Sequence, residues 1–168
     1  GVVRGSSEGE VKNIKMLYNY SNAFTSYRFA HFASVINGLE LIGNNLECSN
    51  TYDFLNVQGL LKGKVVISDN KFVKGNQSFI YVLTVGVLDC TINGNYISNI
   101  ANTFIDLRDM KEDGDVKINI FNNEFRDSFT DWQNAWMPIR VRAAGYDDND
   151  TITVKVYDNK FIDAGALD

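Results

Sequence analysis

Arginine and aspartate occupy matching positions in two short apolar segments. The first reads Ile105-Asp106-Leu107-Arg108 and the second reads Ile139-Arg140-Val141-Arg142. Because apolar and charged residues alternate, each segment is typical of a β-strand with one buried and one outward face. Guanidinium groups bind carboxylates through two parallel hydrogen bonds. Asp106, Arg108, Arg140 and Arg142 are therefore candidate ligand-binding residues, and a uronic-acid polymer is the ligand that fits them.

A second interpretation of the same four residues needs no ligand. Stacked strands would place Asp106 beside Arg140, and Arg108 beside Arg142. Opposite charges on neighbouring strands form ion-pair ladders on solvated sheet faces. Both interpretations stay open at the level of sequence.

A tryptophan-containing loop leads directly into the Arg140 segment. It runs from Asp127 to Met137 and contains Trp132 and Trp136. Indole rings combine a broad apolar face with a polar edge, which suits stacking on sugar rings. We therefore add Trp132 and Trp136 to the candidate ligand-binding residues. The alternative is that the loop packs its aromatic side chains over a core edge or against a neighbouring domain.

Two acidic loops are the candidates for metal binding. One is Asp109-Met-Lys-Glu-Asp-Gly-Asp115 and the other is Asp147-Asp-Asn-Asp150. Together they could supply oxygen ligands for Ca²⁺, although Lys111 excludes the EF-hand pattern. Solvated acidic loops are the alternative, and no other cofactor is expected.

The remaining reactive side chains do not form a catalytic constellation in the sequence. His31 is the single histidine, and its register predicts a side chain that faces the core. Cys90 lies in an apolar position and Cys48 ends a strand, so neither a disulfide nor a nucleophile is expected. No confident catalytic residue is assigned.

A repeated segment with a marker asparagine must position these residues. It spans eight residues: apolar, any, apolar, any, two turn-like residues, any, large apolar, with asparagine as the second turn-like residue. The markers are Asn19, Asn44, Asn70, Asn95, Asn123 and Asn159, spaced by 25, 26, 25, 28 and 36 residues. Asparagine tolerates a positive φ, so each marker is predicted to turn the chain between two strands. Stacked asparagine side chains are also expected to form an amide ladder.

A third strand follows the markers by about ten residues, as Leu55, Ile80 and Ile105 show, and Ile139 fits the same role after an insertion. Three strands per turn predict an all-β fold, a right-handed three-sheet parallel β-helix, or solenoid, of about six coils. A β-sandwich of repeated hairpins is the alternative, but it gives no reason for the 25-residue spacing.

The corners Asp69-Asn70, Gly94-Asn95 and Asp158-Asn159, each followed by one residue and then Phe or Ile, resemble the right-handed parallel β-helix (pectate-lyase-like) superfamily. Residues 139–145 and 156–161 are loosely similar to coils of the chondroitinase and alginate lyase family, whose full catalytic motifs are not evident. The resemblance implies a carbohydrate-associated protein that is extracellular, at the cell surface or periplasmic. By resemblance only, an arginine could serve as the base of a lyase.

Length and composition limit the possible partners and the domain organisation. The chain has 168 residues and a net charge of −5, which argues against a nucleic-acid partner. The longest apolar runs are too short to insert into a membrane. Residues 1–168 form a single β-helix domain, and we expect this domain to be a fragment or the C-terminal part of a longer protein. An oligomer or a neighbouring domain would cover its ends.

Three functional hypotheses follow from these observations. The first is a non-catalytic, carbohydrate-associated β-helix module that binds acidic polysaccharide. The second is a polysaccharide lyase or glycoside hydrolase, or a fragment of one, that uses Arg108, Arg140 or Arg142 with Asp106. The third is a structural stalk like those of adhesins and tailspikes.

Overall fold

The chain is an all-β parallel β-solenoid. The computed structural model describes residues 3–5, 9–24, 28–109, 114–128, 138–142 and 151–164, and every strand pair among them is parallel. The predicted fold class is confirmed, and the antiparallel β-sandwich is wrong. Nowhere in these segments is there a helix that is long and apolar enough to cross a membrane.

Sixteen strands are present in the described part of the chain. They are β1 (Val3–Gly5), β2 (Glu10–Leu17), β3 (Tyr20–Phe24), β4 (Arg28–Phe32), β5 (Val35–Ile42), β6 (Asn45–Thr51), β7 (Asp53–Ser68), β8 (Lys71–Gly75), β9 (Ile80–Asn93), β10 (Tyr96–Ser98), β11 (Ile105–Leu107), β12 (Val116–Phe121), β13 (Glu124–Ser128), β14 (Ile139–Val141), β15 (Ile152–Tyr157) and β16 (Lys160–Ala164).

The strands form two hydrogen-bonded sheets, one of ten strands and one of six. The smaller sheet has the order β16-β13-β10-β8-β6-β3, with one strand from each coil. The larger sheet contains the first and second of the three predicted sheets. They are joined because β7 and β9 each run without a break from the first into the second.

About four turns of the solenoid have a neighbouring turn on both sides. We call β1, β2 and β3 the first rung and β14, β15 and β16 the last rung, since within the described chain each of them pairs on one side. The predicted six coils correspond to these inner turns and the two end rungs, so the count differs only in detail.

The core is a set of apolar columns that run along the stack. The predicted columns are present, and Leu39, Val65, Cys90 and Ile118 pair in register and are buried. A further column, which the sequence analysis missed, contains Phe29, Phe54, Phe79 and Phe104 at intervals of 25 residues. The rings of Phe54 and Phe79 stack with 4.8 Å between centroids. Aromatic stacking adds to the free energy that burial of these side chains contributes.

The marker asparagines form the predicted amide ladder. Asn70 shows the pattern: its backbone N and its Nδ2 both donate to Oδ1 of Asn95, at 3.0 and 2.9 Å. The same Nδ2 donates backwards to the carbonyl of Leu41 at 2.8 Å. Each inner asparagine therefore connects three successive turns, and its polar groups are satisfied although it is buried.

The residue that turns the chain is not the marker asparagine but the residue before it. Positive φ angles of 53° to 65° occur at each of these preceding positions: Tyr18, Gly43, Asp69, Gly94, Asn122 and Asp158. Gly, Asp and Asn adopt this conformation at low cost, which explains why they predominate there. The prediction that the marker itself makes the turn is wrong, because none of the six marker asparagines has a positive φ. The marker contributes its side chain to the ladder instead.

Candidate functional site

The first strand of each turn presents an outward column of polar side chains. Parallel pairing places His31 beside Asn56, Asn56 beside Tyr81 and Tyr81 beside Asp106. The pairing of β11 with β14 then places Asp106 beside Arg140, as the repeat spacing predicts. His31 therefore lies outside the core, and its predicted core-facing register is wrong because Ala30 and Phe32 are the inward residues.

Asp106 holds two arginines in fixed orientations. Its carboxylate is buried and accepts hydrogen bonds from Nε and Nη2 of Arg108, at 3.0 and 2.8 Å. Arg140 donates to the same carboxylate with Nε at 2.8 Å and with Nη2. Burial opposes ionisation of Asp106, but the bonds from Arg140 and Arg108 outweigh it and lower the pKa of this carboxyl. The hydrogen bond to Asp106 raises the pKa of Arg140.

Two further contacts complete this surface. Nη2 of Arg142 donates to Oδ1 of Asp109 at 2.7 Å. The guanidinium of Arg108 lies 4.8 Å from the centre of the Tyr81 ring, within the range of a cation–π contact. We call Tyr81, Asp106, Arg108, Arg140 and Arg142 the arginine face.

The arginine face retains unused hydrogen-bond donors. A guanidinium has five N–H groups. Among the described residues, the hydrogen bonds of Arg108 and Arg140 use Nε and Nη2, and that of Arg142 uses Nη2. No hydrogen bond within the described part of the chain uses their Nη1 groups. The three arginines carry three positive charges against the two negative charges of Asp106 and Asp109.

A second buried carboxylate, Asp53, lies in a neighbouring column of the same stack of strands, three residues before Asn56, and was missed from the sequence. Asp53 accepts from Nε of Arg28 at 3.2 Å, from Nδ2 of Asn56 at 2.8 Å and from the backbone N of Ser78 at 3.1 Å. Burial is the largest influence on this carboxyl and raises its pKa, despite these hydrogen bonds. Arg28, Asp53 and Ser78 are spaced by 25 residues, which was the available signal.

Several predicted site residues lie outside the described residues. Trp132 and Trp136 belong to residues 129–137, residues 110–113 are part of the first acidic loop, and the whole second acidic loop lies within residues 143–150. Their roles in glycan or Ca²⁺ binding stay predictions. Within the described part of the chain, no group of three or more His, Cys, Asp or Glu residues could hold a metal ion.

The cysteines have the structural character that the sequence predicts. Cys48 and Cys90 are both buried. Burial raises the pKa of the Cys90 thiol to about 12, so it stays protonated and unreactive at neutral pH.

No protein-family model, curated protein or solved structure matches the chain.

Proposed function

We propose that the chain is a non-catalytic, carbohydrate-associated module that binds an acidic polysaccharide along the arginine face. The observation that carries the proposal is the alignment of Arg108, Arg140 and Arg142 on adjacent turns, each with unused N–H donors. Arg108 lies on one turn and Arg140 and Arg142 lie on the next, and parallel strands are about 4.8 Å apart, so a polymer that crosses these two turns can contact all three guanidiniums.

Asp106 and Asp109 support binding because they orient the arginines in advance. An arginine held by a carboxylate loses less conformational entropy when a ligand arrives. The lowered pKa of Asp106 keeps it ionised at neutral pH, so this orientation persists. The surplus positive charge favours a carboxylate-bearing ligand over a neutral one.

Apolar atoms beside the arginines suit the carbon faces of sugar rings. Tyr81 lies under Arg108, and Leu83, two residues further along β9, is exposed. Combined aromatic and aliphatic surface next to charged donors is a common composition for a ligand site. Polymers of this kind occur outside cells, so the proposal implies an extracellular, cell-surface or periplasmic location.

The pairing of the arginines favours binding over the lyase or hydrolase hypothesis. A lyase needs a proton-transfer group and a second catalytic group that converge on one substrate atom. Arg108 and Arg140 instead share one buried carboxylate, and Arg142 is bound to another. The hydrogen bond to Asp106 raises the pKa of Arg140, which suits electrostatic binding rather than proton abstraction.

The test compares the affinity of two arginine variants for polygalacturonate by isothermal titration calorimetry. Arg142→Gln removes an exposed donor of the arginine face, and Arg126→Gln removes an arginine that is similarly paired, with Glu124, on the six-stranded sheet. Loss of one charge-assisted hydrogen bond is expected to weaken binding about tenfold for Arg142→Gln. Arg126→Gln should bind like the wild type.

Neutral dextran serves as the control ligand. The proposal fails if the wild type binds neither polygalacturonate nor alginate, or if Arg126→Gln weakens binding as much as Arg142→Gln. Binding should also weaken with added salt, because charge attraction contributes to it.

A further inference from the structure

A glutamate, an asparagine and a lysine from three neighbouring strands meet on the surface of the larger sheet. Parallel pairing places Asn37 of β5 directly beside Lys62 of β7. Glu10 of β2, the strand on the other side of β5, accepts a hydrogen bond from Nδ2 of Asn37 at 2.9 Å. We call Glu10, Asn37 and Lys62 the amide cluster.

The amide of Asn37 is held on both sides. Its Nδ2 is bound to Glu10, and its Oδ1 lies close to the backbone of Gly63. A Cβ atom at position 63 would come within 2.3 Å of this oxygen, so the glycine leaves the space that the amide occupies. The carbon atom Cγ of Asn37 therefore has a fixed position beside β7.

Lys62 approaches the same carboxylate oxygen as the amide does. Its Nζ lies 3.7 Å from Oε1 of Glu10, the atom to which Asn37 donates. The ammonium of Lys12 pairs with the other oxygen, Oε2, at 3.1 Å. The side chain of Lys62 is 27% exposed, against 62% for Lys12. Of these two amines, Lys62 is the one that shares an oxygen with the amide and is better shielded from water.

We propose that Lys62 and Asn37 form an isopeptide bond, with Glu10 as the catalytic residue that transfers the proton. Nζ of Lys62 attacks Cγ of Asn37, and the new Nζ–Cγ bond replaces the Cγ–Nδ2 bond. Of the three protons on the Lys62 ammonium, one stays in the new amide, one moves through Glu10 to the departing Nδ2, and one is released to solvent. Nδ2 leaves as ammonia, so the reaction needs no oxidant or further reactant.

The contacts of Glu10 suit this proton transfer. The hydrogen bonds from Asn37 and from Lys12 lower the pKa of its carboxyl, so Glu10 is ionised at neutral pH and can accept a proton from Lys62. Reactants that are held side by side react as if at very high concentration. Because the bond forms once per molecule, a slow step is sufficient.

The bond joins two neighbouring turns of the solenoid. Asn37 lies on β5 and Lys62 lies on β7, so the product contains a closed loop that spans one turn. A cross-link of this kind restricts the unfolded chain in the same way as a disulfide. The amide cluster is therefore a covalent modification site that stabilises the stack.

Mass spectrometry of the purified chain, after incubation at neutral pH, tests the bond. The intact mass of the wild type should be lower than the sequence mass by one ammonia molecule. Digestion of the denatured chain at glutamates cuts at Glu40 and Glu47, both of which lie between Asn37 and Lys62. The segments that contain Asn37 and Lys62 should nevertheless stay joined, and fragmentation should locate the link at these two residues.

Conservative variants identify the reacting groups. Lys62→Arg keeps the positive charge but removes the nucleophilic amine, and Glu10→Gln removes the proton acceptor. Both variants should have their full sequence mass. Lys15→Arg is the matched control, since Lys15 is paired with Glu40 at 3.0 Å outside the amide cluster, and it should lose ammonia like the wild type. Circular dichroism confirms that each variant is folded.

Four outcomes overturn the proposal. The first is a wild-type chain with its full sequence mass, which would make the cluster an ordinary surface ion pair. The second is a mass loss that persists in Lys62→Arg, because Asn37 and Gly38 can cyclise to an imide and release ammonia without a lysine. The third is a link located at Lys12. The fourth is a mass loss that persists in Glu10→Gln, which would contradict proton transfer through Glu10.

Discussion

The inner turns and the last rung contain similar residues in the same columns but in different surroundings. Phe125 and Phe161 are neighbours in one column, and their rings stack with 5.0 Å between centroids. Phe125 is fully buried, whereas Phe161 is about half exposed. Asn123 is buried and Asn159 is only partly so. In this fold the burial of a side chain depends on the number of neighbouring turns, not on its own strand.

The largest difference between the two regions is expected for phenylalanine. Phe125→Ala leaves a cavity between two turns and should lower the free energy of unfolding by about 3–5 kcal/mol. Phe161→Ala removes a ring that is packed on one side and should cost about 1 kcal/mol. Urea denaturation measures the free energy of unfolding of both variants, and their m-values should equal that of the wild type. Equal costs for the two variants would contradict the comparison.

A smaller difference is expected along the asparagine ladder. Asn95→Ala removes the hydrogen bonds that Nδ2 of Asn95 donates to Asn123 and to the Ile67 carbonyl. It also removes the Oδ1 acceptor of the Asn70 backbone N and Nδ2, which leaves the buried backbone N of Asn70 without that partner. The expected cost is about 3 kcal/mol, because unsatisfied buried groups add to the lost bonds.

The matched change at the last rung is Asn159→Ala, for which about 1 kcal/mol is expected. Thermal unfolding followed by circular dichroism ranks the two variants. The prediction is wrong if Asn95→Ala unfolds at the same temperature as Asn159→Ala. In that case the ladder would stabilise the inner turns no more than the last rung.

The smallest effect is a pH-dependent loosening of the last rung. Arg140 of β14 is bound to Asp106 of β11, whose pKa is lowered by the arginines. A carboxyl with a lowered folded-state pKa stabilises the fold above its unfolded pKa, which is about 4, and this stability is lost as the pH falls through the folded pKa. The quantity to compare is the ratio of the amide hydrogen-exchange rate of β14 to that of β7. This ratio should be higher below pH about 4 than at neutral pH.

Asp106→Asn provides the control for this experiment. It should lose the extra pH dependence of β14, because the titrating group is gone. Asp53, in an inner turn, has a raised pKa, so its ionisation disfavours the fold as the pH rises. Acceleration at low pH that is the same in β7 and β14 would show that Asp106 does not attach the last rung.

The repeat spacing made most of the fold predictable from sequence. Markers at intervals of 25 to 28 residues predicted the parallel register of the first five coils, and the matching alternation of Ile105-Asp106-Leu107 and Ile139-Arg140-Val141 placed Asp106 beside Arg140. The turn residue was misassigned because Asp69-Asn70 and Asp158-Asn159 each contain two residues that tolerate a positive φ. The structure of the asparagine ladder shows that the second residue of each pair, the asparagine, contributes its side chain and that the first residue makes the turn.

The missed features have a common physical cause. The Asp53 cluster combines Arg28, Asp53 and Ser78, which share a column but not a residue type, so they give no compositional repeat. The column of Phe29, Phe54, Phe79 and Phe104 was overlooked because it lies just before the strand that the apolar alternation indicates. Position within the repeat is the signal in both cases.

The asparagine ladder also gives the fold a tolerance to added sequence. The chain between Asn123 and Asn159 is 36 residues long, yet the side-chain bond between them is 2.9 Å, the same as between Asn70 and Asn95, which are 25 residues apart. The corner therefore fixes the pitch of the coil independently of the length of the connection. A duplicated interval would add a turn, and a peptide grafted into the long connection would project from the scaffold without disturbing it.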